Sequence, residues 1–205
     1  MVNPTTVPAA LVLLDFQQGL TAIPDAADPP PLAAAVAEHG VLDKAAAALA
    51  TARARGLTVA HVRVAFEAGH ANRTNRTPRF DDHEAAGRFL LGSAASEFCT
   101  EVAPADGEPV FSKGSVAAFA STTLERALRV RGARTLFLAG IATHLAVESA
   151  AREAADRGFE VVVLGDGCTA PDQGLHEHAI TQTIPLFAEV IDTDGLGQRL
   201  DAVTG

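Results

Sequence analysis

The chain has 205 residues, 48% hydrophobic and 20% charged, with a formal net charge of -9. That size and apolar fraction predict one globular domain over residues 1–205 with ample material for a core. The acidic balance argues against a nucleic-acid partner, which needs a clustered basic surface, and no apolar run approaches the roughly 18 residues of a membrane span. The N-terminus lacks the basic, apolar, cleavable order of a signal peptide, which predicts a cytoplasmic protein. Cys99 and Cys168 lie far apart and give neither a disulfide framework nor metal-ligand spacing. With no Trp and no Tyr, any aromatic wall in a pocket falls to the ten Phe residues.

In chain order, apolar strand candidates alternate with alanine-rich helical segments. Ala10–Phe16 (ALVLLDF) reads as a strand, Val41–Arg55 as a helix stopped by Gly56, and Thr58–Val64 (TVAHVRV) as the next strand. Pro109–Phe111 is a short strand leading into Lys113, and Thr122–Arg131 a helix ended by Gly132. Thr135–Ala139 reads as a buried strand broken by Gly140, with Thr143 placed to N-cap the helix that follows. Glu160–Leu164 is a strand followed by a turn at Gly165-Asp166-Gly167. A helix over His176–Phe187 is cut short at Pro185, and a last strand, Ala188–Asp192, precedes a short C-terminal helix. This alternation predicts a parallel sheet covered by helices on both faces, with ligands beyond the carboxyl ends of the strands. Asp25–Leu32 and Glu67–Gly92 are loop-rich and placed to shape a pocket mouth.

Candidate chemistry gathers at strand ends. Asp15 closes the first strand, where a buried carboxylate is costly unless paired; a cap or loop-amide role is the plainer alternative. Lys113 ends the VFSK run, where a solvated surface lysine is the plainer reading. After the Thr135–Ala139 strand, the first turn of the helix presents unpaired N–H groups and the positive end of the helix dipole. A nucleophilic cysteine would suit that position, yet the turn reads His144-Leu145-Ala146.

The run Gly140-Ile141-Ala142-Thr143-His144-Leu145-Ala146-Val147-Glu148-Ser149-Ala150-Ala151 resembles the G-(I/V)-x-T-x-x-C-V-x-x-(T/S)-A pattern of the isochorismatase-like hydrolase superfamily, which includes nicotinamidases and other cysteine hydrolases. LLDFQ, the stretch carrying Lys113, Phe119, Thr122 and Leu124, and VVVLGDGCTA with Asp166 extend the resemblance from about Ala10 to about Gly195. It implies a three-layer α/β/α sandwich around a mainly parallel six-stranded sheet, a cis peptide at Ile141–Ala142, and a homodimer or homotetramer. It also implies catalytic positions at Asp15, Lys113 and Ala146, with the Ala142 and Ala146 amides as oxyanion donors. Ala146 stands where the family places its nucleophilic cysteine, and Ala150 departs from the usual Thr or Ser.

A methyl group cannot act as a thiolate, so covalent amide hydrolysis is not expected of this chain. Isochorismate-cleaving relatives need no thiol, and they imply protonation of an enol ether by Asp15, with Lys113 holding a substrate carboxylate. A laboratory Cys-to-Ala trap of a cysteine amidohydrolase, or a non-catalytic binding protein on the inherited fold, are the alternatives. Gln17, Phe119, His144 and Arg79 are candidate substrate-binding residues. His144 equally fits a solvent-facing position, and the Arg73, Arg76 and Arg79 cluster equally fits a solvated loop. His61, Glu67 and His70 lack the D-x-H order of a zinc site, so neither metal nor cofactor is expected. His61 reads as a packed core residue, Cys168 as a packed small one, and His176 and His178 as water-facing.

Overall fold

The computed structural model describes residues 7–22 and 29–204. Residues 25–28 of the expected Asp25–Leu32 loop lie outside the described residues; Pro31 and Leu32 instead open a helix. The elements run β1 (Ala9–Leu14), α1 (Gln18–Thr21), α2 (Pro31–Glu38), α3 (Val41–Ala54), β2 (Thr58–Val64), α4 (Pro78–Ala85), β3 (Val110–Lys113), α5 (Leu124–Val130), β4 (Thr135–Ile141), α6 (Glu148–Asp156), β5 (Glu160–Thr169), α7 (Gln173–His178), β6 (Glu189–Ile191) and α8 (Leu196–Thr204). A π-helical turn over Thr143–Val147 leads into α6.

All six strands are parallel, in the order β3-β2-β1-β4-β5-β6. β1 and β4 are near-continuous apolar runs because helices cover both faces of the sheet. Alternate side chains divide between two cores. Ala10, Val12 and Leu14 join Leu136, Leu138 and the α5 and α6 side, while Ala9, Leu11 and Leu13 join Phe137, Ala139 and the α3 and α8 side. The three-layer α/β/α sandwich is as expected.

Four local features differ from the sequence expectation. β4 runs through Gly140 instead of stopping there, because a bare α-carbon lets it pass close to Leu14. The residue before the π-helical turn is Ala142, and Thr143 caps nothing; its hydroxyl bonds His176 Nδ1 at 2.8 Å. Gly165-Asp166-Gly167 is no turn: β5 continues to Thr169, and its pairing jumps from Leu138–Val163 to Gly140–Cys168, a bulge within the strand. The last long helical stretch starts at Gln173, before His176, and changes pitch over Ala179–Thr183 before Pro185.

The strand order fixes where a ligand sits. From β1 the chain moves outward to β2 and β3, then returns across β1 to begin β4 on the other side. Connections from β1 and β4 therefore leave in opposite directions, opening a crevice above their carboxyl ends. At Gly140 an added Cβ would lie 2.5 Å from both the Cβ and carbonyl oxygen of Leu14. Gly140→Ala is expected to destabilise the protein by about 1–3 kcal/mol through overpacking, seen as a lower urea midpoint with an unchanged slope.

Candidate active site

Three strand ends meet in that crevice. Asp15 follows β1 with φ of 60°, a left-handed conformation that Asp tolerates better than most residues. Its amide donates to the Val62 carbonyl at 2.8 Å, which fastens it to β2. Lys113 is the last residue of β3 and is completely buried. Its ammonium lies 2.8 Å from Asp15 Oδ2 and donates to the Val116 carbonyl at 2.6 Å. From β4, the chain passes through a cis Ile141–Ala142 peptide into the π-helical turn that carries Ala146.

Asp15, Lys113, Ala142 and Ala146 line one small cavity of about 80 Å³. Phe80, His83 and Phe89 form part of its wall, so the aromatic work does fall to Phe. Leu20, Leu32, Arg79, His83, Phe89, Ala142 and Leu145 belong both to this cavity and to a wider vestibule of about 640 Å³, whose wall includes His144 and Arg88.

The Asp15–Lys113 pair is out of water. Burial raises the Asp15 carboxyl above its ordinary range, against the opposing pull of the Lys113 charge and hydrogen bond. Asp15 Oδ1 has no hydrogen-bond partner among the described residues. Two of the three ammonium donors of Lys113 are taken by Asp15 and Val116. Lys113 thus holds Asp15 and keeps one donor for a further group in the cavity that it lines. Gly114 lets the Asn72–Arg73 backbone cross close over the end of β3, since a Cβ there would lie 2.1 Å from the Asn72 carbonyl oxygen.

Other candidates separate. Gln17 is fully buried and binds backbone only: its amide donates to the Val64 and Ala95 carbonyls at 3.0 and 3.1 Å, and its Oε1 accepts from the Val64 amide at 2.8 Å. Both polar heavy atoms of its side chain thus tie the loop after β1 to β2 at Val64 and to the Ala94–Ser96 turn, and Gln17 is absent from the walls of both cavities. Phe119 is also displaced from the expected role. It packs against Phe159 in the core beside α5 and α6, and is absent from the walls of both cavities. Arg73 is buried and paired with Asp81 and Glu84, while Arg76 lines neither cavity. Arg79 does reach the cavity, and His144 faces the vestibule.

His61 is a core residue, bonded to Glu108 at 2.9 Å, and Cys168 is buried with its thiol pushed up to about 12. His176 is half-buried on Thr143 rather than water-facing, and burial lowers its pKa. Among the described residues no group of His, Cys, Asp and Glu is arranged to hold a metal ion. No helix of the described residues is long and apolar enough to cross a membrane.

Sequence reading missed His83, Phe80 and Phe89 because Glu67–Gly92 looked like loop. The signal was present in Thr77-Pro78-Arg79-Phe80-Asp81: a proline at the first helical position and an acid in the first turn mark a helix start. Phe80 and His83, three residues apart, then share a face of α4.

An isochorismatase domain model matches residues 9–195. The chain belongs to the isochorismatase family. It is 28% identical over 200 residues to the maleamate amidohydrolase of Pseudomonas putida, covering 96% of this chain and 88% of that protein. An uncharacterised isochorismatase family protein of Escherichia coli O157:H7, YecD, is 31% identical over 88% of this chain and 90% of its own length. The crystal structure of an isochorismatase family protein from Desulfovibrio vulgaris superposes with a TM-score of 0.80 at 27% identity, covering 95% of this chain and 98% of that one.

The buried pair gives a direct test of site electrostatics. Lys113→Met removes the cation and leaves a carboxylate in a dry site, which is expected to cost about 3–5 kcal/mol at pH 7. Asp15 is then raised further in the folded state, so this penalty is absent below its unfolded value and grows as pH rises through the folded one. Urea unfolding at pH 4 and pH 7 is expected to show the variant closer to wild type at the lower pH.

Proposed function

We propose that this isochorismatase-family hydrolase cleaves an enol ether or related acid-labile bond in a small molecule without a covalent enzyme intermediate. The observation that carries the reading is a methyl group, Ala146, set in the same small cavity as a buried carboxyl, Asp15, whose Oδ1 has no protein partner. Raised by burial, that carboxyl is suited to hold a proton and deliver it. Asp15 protonates the methylene carbon of the enol ether as the double bond opens toward it. Water adds to the oxocarbenium-like carbon and returns a proton to Asp15, and the hemiketal collapses to a ketone and an alcohol. Lys113 holds Oδ2 and so keeps Oδ1 turned to the substrate. The amides of Ala142 and Ala146 serve the departing oxygen, which takes up negative charge as the hemiketal collapses, a role that needs no side chain.

Following the family resemblance, the chain acts in the cytoplasm as a homodimer or homotetramer, without cofactor, metal or nucleic acid. One observation favours a second reading. Ala146 occupies the first turn of a helix beside the same Asp–Lys pair, where a thiol would be activated, and the P. putida relative is an amidohydrolase. On that reading the chain is a cysteine amidohydrolase lacking its thiol.

A hydrolysis screen on isochorismate, nicotinamide and small amides separates the two. The chain itself is expected to turn over the enol ether, with Asp15→Asn lowering kcat at least about 100-fold, the scale of general acid catalysis. Amide turnover appearing only in Ala146→Cys would instead identify the disabled cysteine hydrolase. Silence from the chain and from Ala146→Cys alike would contradict both readings and favour a binding role.

A further inference from the structure

The turn that carries Ala146 is held from outside the site. It is wound as a π-helix: the Ala142 carbonyl accepts from the Leu145 and Val147 amides at 3.1 and 3.4 Å and passes over that of Ala146. Single widened turns of this kind recur at functional sites. No side chain caps the turn, and Val147 anchors its far end in the core. Among the described residues its one side-chain hydrogen bond is that of Thr143, fully buried, to His176 Nδ1 at 2.8 Å.

His176 reaches that position from the end of β5. The strand closes at Thr169 beside Ile141 of β4, and Asp172 then caps α7, its Oδ1 accepting from the Leu175 amide at 3.1 Å. This sets His176, the next residue, against Thr143. Burial first, and then the charge of His39, lower His176, while Glu177 opposes them. The ring is therefore neutral at pH 7, and a neutral imidazole pairs with a hydroxyl in either tautomer. His176 also lines a second cavity of about 200 Å³, together with His39, Asp166, Cys168, Thr169 and Gln173. None of these six residues lines the inner cavity or the vestibule. The second cavity reaches the surface at His39 and Gln173, and its wall includes the fully buried Thr169, whose Oγ1 has no protein partner.

We infer that His176 is a positioning residue: from a separate cavity it holds Thr143, and through Thr143 the orientation of the turn that carries Ala146. The Thr143 hydroxyl has no other partner, so it fixes the turn only while a hydrogen-bonding atom stands where Nδ1 does. Because His176 lines neither the inner cavity nor the vestibule, it acts on the turn and not on the substrate. The inference rests on the hydrolase reading only for the use of that turn.

A thiol placed at position 146 reports the turn without turnover, so a failure of the proposed hydrolysis leaves the result readable. In the full chain carrying Ala146→Cys, alkylation of the new thiol by iodoacetamide at pH 7 is followed by peptide mass mapping, with folding checked by circular dichroism. Cys99 and Cys168 are internal controls, since both are buried and raised, Cys168 to about 12. Adding His176→Gln, which keeps the bulk but moves the amide beyond the Nδ1 position, is expected to slow the new thiol about tenfold as the turn leaves its activating geometry. His176→Asn, whose amide falls where Nδ1 stands, is expected to hold the rate within about twofold. Thr143→Val is expected to slow it as His176→Gln does, and the two together no further. The loss in His176→Ala is expected to recover with free imidazole, which the second cavity admits, whereas Ala146→Cys alone does not respond. Equal rates in His176→Gln and His176→Asn, whether both slowed or neither, would overturn the proposal and leave the ring a packing element. So would a loss in His176→Ala that imidazole leaves untouched.

Discussion

A carboxylate and an ammonium held 2.8 Å apart with almost no access to water constrain the site more than any other contact. Neither charge is tolerable alone in such a place, because desolvation of an unpaired ion costs several kcal/mol. The pair is therefore also a register device. Asp15 belongs to the end of β1 and Lys113 to the end of β3, with β2 between them. Bringing them into contact requires β1 to bend into a left-handed residue and the chain after β3 to fold back under the Asn72–Arg73 crossing. Gln17 reinforces the same geometry by clamping the β1 loop to β2 at Val64.

Catalytic potential follows from what this arrangement leaves unsatisfied. Lys113 occupies one oxygen of Asp15 and leaves the other without a protein partner. In a thiol enzyme that oxygen would receive a proton from the nucleophile. Opposite Ala146 it can only exchange a proton with substrate or water. On the proposed reading the same buried pair serves either chemistry, and the side chain at position 146 selects between them.

The sheet was legible because parallel strands buried on both faces are long apolar runs, as in Ala9–Leu14 and Thr135–Ile141. Asp15, Lys113 and Ala146 were legible because each sits at a strand end or in the first turn beyond one, and their order along the chain matches a family pattern. The errors share a cause in tertiary context. Gly140 and the Gly165–Gly167 stretch read as breaks, but glycine there permits close packing and a bulge. Gln17 and Phe119 stand beside the family motifs in sequence, yet the chain turns them into a backbone clamp and a core ring. Nothing in their spacing separates those roles from substrate contact. Arg73 and Arg79 look alike in sequence, and only the fold assigns two of the three carboxylates of α4, Asp81 and Glu84, to the first.

The most direct test of this account is the titration of the Asp15 carboxyl itself, followed by its side-chain 13C chemical shift with Asp15→Asn to assign the signal. The account requires a midpoint above the ordinary aspartate value of 3.8, since burial outweighs the nearby ammonium. A midpoint at or below 3.8 would mean that Lys113 dominates, and Asp15 would then be a poor proton donor and the proposed acid catalysis wrong.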